Sequence, residues 1–172
     1  MNPHQHFDST EDNDMASGPN EFMSEALRLA QENAQAGKGG PFGAVVVHKG
    51  KIIARGVNQV TEANDPTAHA EVVAIREACR VLGTFQLTDC ELYASCEPCP
   101  MCLGAVYWAR PERIYFAATR SDAAAAGFDD SLIYDEIPQE PQARSLPCVH
   151  LERPDSVEPF VAWGDNSQRT EY

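Results

Sequence analysis

Residues 95–110 read SCEPCPMCLGAVYWAR, and the first eight of them place Cys96, Cys99 and Cys102 at a spacing of three. Such a run can be a redox pair, part of a disulfide framework or a metal clamp. The stretch PMCLGAVYWAR is predicted to be a short helix following Pro98, so Cys99 and Cys102, at i and i+3, share one face at its start. Cys96 closes the predicted strand CELYAS and is expected to pack there. Its substitution for one of the other two thiols stays open at this level. The chain has six cysteines, but the first twenty residues carry neither a basic nor an apolar signal segment. No apolar run approaches the ~20 residues of a membrane span. The expectation is a cytoplasmic protein, in which thiols are reduced, metal-bound or catalytic rather than paired.

Working outward, DPTAHAEVVAIREACRVLG (residues 65–83) is the clearest helix in the chain. Asp65 and Pro66 suit its start, Gly83 its end, and Ala68, Val72, Ile75, Cys79 and Leu82 form an apolar stripe. His69 and Glu71 stand two residues apart. On a regular helix they point about 200° away from each other, because each step turns about 100°. They can serve one centre only if it lies over the open end, where free N–H groups and partial positive charge favour anions. One imidazole and two thiolates, from His69, Cys99 and Cys102, supply three ligands of a tetrahedral zinc. The fourth position is left for water, the mark of a catalytic site. Glu71 is then free to move protons. A purely redox C-x-x-C would leave both His69 and Glu71 unused.

The remaining chain fits one α/β domain. NEFMSEALRLAQENAQAGKGG reads as a helix capped by Asn20 and ended by Gly37, and FGAVVVHKGKIIARGV as a hairpin turned at Lys49-Gly50. RIYFAAT reads as a strand and SDAAAAGF as a helical turn. Two strands followed by alternating helix and strand predict a three-layer α/β/α sandwich with a mixed central sheet. Residues 1–18 are read as a disordered acidic tail, 19–137 as the zinc-binding core, and 138–172 as a proline-rich connection with a C-terminal segment. A strand at CVHLE and a short terminal helix are expected within that segment. The net charge is −13 over 172 residues. A field of that sign opposes phosphate backbones, so no nucleic-acid partner is expected.

Together these residues match H-x-E…P-C-x-x-C, a signature of zinc-dependent nucleobase deaminases. DPTAHAE and SCEPCPMCLGAVYWAR resemble the cytidine and nucleobase deaminase superfamily. GGPFGAVVV, GVNQVTEANDPTAHAE, AAAAGFDDSLIYDEI and the closing EY resemble its bacterial-type guanine deaminases. That resemblance implies a cytidine-deaminase-like fold, one Zn2+ per subunit, and hydrolysis of guanine to xanthine and ammonia with Glu71 as proton shuttle. It implies Asp130, with Asp129 as runner-up, as a second working carboxylate. It also implies contacts to a small purine base from Asn58, Phe42, Ala70, Trp108 and Tyr172, with Phe42 and Trp108 sandwiching the ring. Finally it implies a homodimer that exchanges C-terminal segments, so that Tyr172 closes the partner's site. tRNA adenosine deaminases share the zinc core and form the alternative, and a closed, non-catalytic zinc module is a third reading.

Overall fold

The structure, a computed structural model, describes residues 18–172; the expected acidic tail lies, apart from Gly18, outside them. Helix α1 (Pro19–Ala36) precedes the hairpin β1 (Gly43–His48) and β2 (Lys51–Val57). The turn α2 (Val60–Ala63), helix α3 (Ala70–Leu82), strand β3 (Cys90–Cys96), helix α4 (Pro100–Ala109) and strand β4 (Arg113–Ala118) follow. Two short helices, α5 (Arg120–Ala125) and α6 (Ser131–Glu136), a 3₁₀ turn at Pro141–Ala143 and α7 (Glu158–Asp165) complete the chain. No helix among the described residues is long and apolar enough to cross a membrane.

The sheet has the order β2-β1-β3-β4. Strand β1 runs antiparallel to β2 and β3, and β3 runs parallel to β4. It is thus mixed, as expected. The run GAVVV in β1 is buried throughout because both faces of the sheet are covered. Ala44 and Val46 pack with Ala54, Ala74, Ala78 and Leu92 under α3, with Val106 and Ala109 of α4 in the same cluster. Val45 and Val47 pack with Phe22 and Tyr93 under α1. The three layers are α1, the sheet, and α3 with α4. Lys49 and Gly50, at φ +50° and +72°, make the tight hairpin turn read from the sequence.

Three local expectations are corrected. Helix α1 is preceded by Gly18 and starts at Pro19, so Asn20 lies inside the first turn rather than capping it. Proline has no N–H to satisfy and its φ is already helical, which favours it at the first position. Helix α3 starts at Ala70, not at Asp65 or Pro66. The Asp65 carboxylate accepts from Thr67 N at 2.8 Å and Thr67 Oγ1 at 2.7 Å. That local turn competes with helix and delays it until His69. The strand expected at CVHLE is absent: residues 148–152 are exposed and have no regular structure. A strand needs a ladder partner, and no strand pairs with this segment among the described residues.

The start of α3 is pressed against β2 at Gly56, which positions the residues that follow His69. A Cβ on Gly56 would stand 2.1 Å from Ala70 O and 2.6 Å from Ala74 N, both backbone atoms. Gly56→Ala is therefore expected to push α3 outward. It should destabilise the fold by about 1–3 kcal/mol, the usual range for overpacking a filled core, and lower zinc retention. Urea unfolding with parallel metal analysis checks this; an unchanged midpoint would contradict so close an approach.

Candidate active site

Two helix starts converge on one point. His69 is the residue immediately before α3, with extended backbone at φ −71° and ψ 156°. Cys99 holds the same place before α4, at φ −63° and ψ 167°, and Cys102 follows in the first turn. His69 therefore stands off the helix end while Glu71 lies within the first turn, which lets side chains two residues apart face one centre. The three ligand atoms lie within 4.8 Å of one another. His69 Nδ1 is 3.6 Å from Cys99 Sγ and 3.5 Å from Cys102 Sγ.

Those separations provide a test of the metal. With Zn–S near 2.3 Å and Zn–N near 2.0–2.1 Å, tetrahedral angles require N···S edges of about 3.5–3.6 Å. The site meets this requirement, and two thiolates with one neutral imidazole balance a dication. The residues fit Zn2+ with one position unfilled by protein. Cys96 is not part of the group: it is buried at the end of β3, where its thiol donates to Thr119 O at 3.5 Å.

The electrostatics are those of a site built for a cation. The Cys102 thiol beside Cys99 pulls Cys99 down to about 4, assisted by His69. Cys102 is correspondingly pushed up, first by the Cys99 thiolate and then by burial. The two thiols are thus pushed in opposite directions, Cys99 towards the thiolate and Cys102 towards the thiol. His69 is raised by its hydrogen bond with Cys99. Glu71 is raised chiefly by burial, being 8 % exposed, and its Oε2 accepts from the Cys102 thiol at 3.4 Å.

Beside the three ligands lies a cavity of about 270 Å3. Its polar lining is Asn58, Glu71, Asp129 and Asp130, and its apolar walls are Phe42, Phe128, Ala123 and Ile133. This volume lies just below the usual range for drug-sized ligands and suits a single heterocycle. Asp129 is occupied by the backbone, its Oδ1 accepting from Ser131 N at 2.9 Å. Asp130 has no such bond, is half-buried, and is raised by burial and by the nearby Cys99. Asn58, buried just past β2, accepts at Oδ1 from Gly40 N at 3.2 Å and Val60 N at 3.3 Å.

The remaining expected contacts divide. Phe42 lines the cavity, but its aromatic neighbour is Phe128, edge-on at 5.0 Å between centroids. Trp108 is 64 % exposed on the outside of α4, and the expected Phe42–Trp108 sandwich does not form within the chain. Trp108 sits 6.0 Å from Tyr172, and both line a wider cleft of about 660 Å3 with Phe160 and Trp163. Ala70 has its side chain buried in the core, which leaves only its backbone to meet a ligand. Phe128 and Ile133 were missed as cavity residues. The signal for Phe128 was its place directly before Asp129-Asp130.

Residues 17–118 match the cytidine and deoxycytidylate deaminase zinc-binding region. The chain is 56 % identical over 151 residues to a guanine deaminase of Bacillus subtilis, covering 88 % of this chain and 97 % of that protein. The X-ray structure of guanine deaminase from Bacillus subtilis superposes with a TM-score of 0.89 at 54 % identity, covering 91 % of this chain and 99 % of the other. A tRNA-specific adenosine deaminase of Aquifex aeolicus is 46 % identical over 101 residues, 59 % of this chain and 66 % of that protein. The chain belongs to the cytidine and deoxycytidylate deaminase zinc-binding family, and its cofactor is Zn2+.

Zinc loading must displace the Cys102 proton at neutral pH and, at lower pH, the proton on His69, whose affinity for it is raised. Apparent zinc affinity is thus expected to fall about tenfold per unit as pH drops from 8 to 7, and more steeply once His69 protonates. Competition with a chromogenic chelator across pH 5.5–8 measures it. A pH-independent affinity would contradict this ligand set.

Proposed function

We propose, from this family membership and from the polarity of the cavity, that the protein is a zinc-dependent guanine deaminase that hydrolyses guanine to xanthine and ammonia. The observation that carries the substrate is the pairing of an unoccupied carboxylate with a donor amide beside the metal ligands. Guanine presents N1–H and the C2 amine side by side. Ionised Asp130 is acceptor-only and complements that edge. Adenine offers an unprotonated N1 there, which a carboxylate repels. Asn58, its oxygen taken by two backbone amides, turns a donor to the acceptors O6 and N7. Phe42 and Phe128 wall the ring, with Ala70 contributing backbone. The net charge of −13 disfavours the tRNA adenosine reading, since that substrate must bring its phosphates close.

Zinc held by His69, Cys99 and Cys102 supplies the Lewis acidity that makes water a nucleophile near neutral pH. Glu71 takes a proton from the attacking water and delivers it to N3 as oxygen adds to C2. The amine then leaves as ammonia, protonated through Glu71 with Asp130 beside it, and the C2 carbonyl of xanthine forms. Burial, which raises Glu71, suits a group that accepts and returns a proton in one turnover.

A second copy completes the assembly in this reading. Leu146, Val149, Leu151 and Phe160 are each 75–77 % exposed, on a segment that joins no strand of the sheet among the described residues. Strand β4 leaves one edge of the sheet open. A stretch with no regular structure can add to an open edge as a strand. The chain forms a homodimer by exchanging residues 138–172, and Tyr172, outside its own cavity, closes that of the partner. Six unpaired thiols fit a reducing, cytoplasmic setting.

Ammonia release should be seen with guanine and not with cytosine, adenine or an adenosine-containing tRNA anticodon stem. Activity on the RNA alone would overturn the substrate reading. Glu71→Gln should keep zinc while losing at least ~10²–10⁴ in kcat, the usual worth of general acid–base catalysis; near-normal turnover would remove Glu71 from the mechanism. Deleting residues 168–172 should lower turnover with zinc intact, and full activity in that truncation would defeat the lid.

A further inference from the structure

Asn33 belongs to neither the metal centre nor the cavity wall, yet it is a buried amide on the last turn of α1, 6 % exposed. Its Nδ2 donates to Gly40 O at 2.9 Å and to Asn58 O at 2.9 Å. The chain between these points is held close: a Cβ on Gly39 would stand 2.1 Å from Asn58 O and 3.1 Å from Asn33 Nδ2. Asn58 in turn accepts at Oδ1 from Gly40 N and Val60 N. Asn33 therefore fastens the carbonyl of Asn58 and the carbonyl of Gly40, the residue whose N–H holds the Asn58 side chain.

Both amide orientations follow. Turning Asn33 over would set its oxygen against two carbonyls, and turning Asn58 over would set its NH2 against two N–H groups. We propose that Asn33 is a positioning residue for substrate specificity: acting through Asn58, it fixes that side chain as a pure donor facing the acceptor edge of the purine. The inference rests on the guanine reading above and adds a residue outside the cavity to it. An amine at C6 then meets donors where guanine presents an acceptor, so adenine is rejected at Asn58 as well as at Asp130. Buried polar groups left facing the wrong partner are what make such discrimination steep.

The test is a double-mutant cycle on the zinc-loaded protein: wild type, Asn33→Ala, Asn58→Ala and the pair, with KM and kcat for guanine measured separately. Asn33→Ala is expected to raise KM about tenfold with kcat and zinc content nearly kept. In the Asn58→Ala background the same change should alter KM less than twofold. A lowered melting temperature with unchanged KM would reduce Asn33 to a structural tie and overturn the proposal, as would full additivity in the double variant. Asn33→Ser, which keeps a donor, carries the same reading at smaller amplitude if Asn33→Ala does not fold. Wild-type protein idle on guanine would sink the substrate reading itself, whereas active wild type with an unaltered Asn33→Ala KM sinks this inference alone.

Discussion

Everything in the site depends on two helix N-termini meeting at one point. His69 ends the approach to α3 and Cys99 the approach to α4, each in extended backbone, with Cys102 one turn further along. A helix start carries partial positive charge and unpaired N–H groups, so it favours anions beside it. Two such ends facing each other favour thiolates, and Cys99 is the thiol drawn well below the usual range. The same geometry brings Glu71 to the centre without making it a ligand, because His69 is off the helix and Glu71 is on it.

The sheet holds those helix ends in place. Strand β3 delivers the Cys96–Cys102 loop, and the close approach at Gly56 sets α3 against β2. The fully buried run Ala44–Val47 serves both faces, so the two helical layers share one rigid spacer. The cavity forms at the end of this frame where β1 and β2 deliver Phe42 and Asn58. The α5–α6 segment adds Phe128 and Asp130 from the other side. A guanidinium–ring contact between Arg120 and Tyr134, at 4.5 Å, ties α5 to α6. The result lines a space sized for one heterocycle with both an acceptor, Asp130, and an amide, Asn58, whose oxygen is already taken.

The His69, Cys99 and Cys102 cluster with Glu71 beside it, the Lys49-Gly50 hairpin and the three layers were legible in the sequence because each rests on local spacing or on a face pattern. The start of α3 was not, since the Asp65–Thr67 turn competes with helix in a way apolar periodicity does not register. Trp108 was assigned to the cavity although α4 turns it outward. Phe128 was overlooked because a loop aromatic has no period to betray its direction. The strand expected at CVHLE did not form, because β-rich composition without a neighbouring ladder leaves residues 148–152 with no regular structure. Nothing in the helical pattern of α1 marks Asn33, whose hydrogen bond to Asn58 spans 25 positions.

The central claim is an open zinc site with three protein ligands, and X-ray absorption at the zinc edge of the purified protein tests it most directly. Two sulfurs near 2.3 Å and two nitrogen or oxygen neighbours near 2.0–2.1 Å are expected, of which only one scatters as imidazole. Three or four sulfurs, or a second imidazole, would close the site with protein and contradict the account.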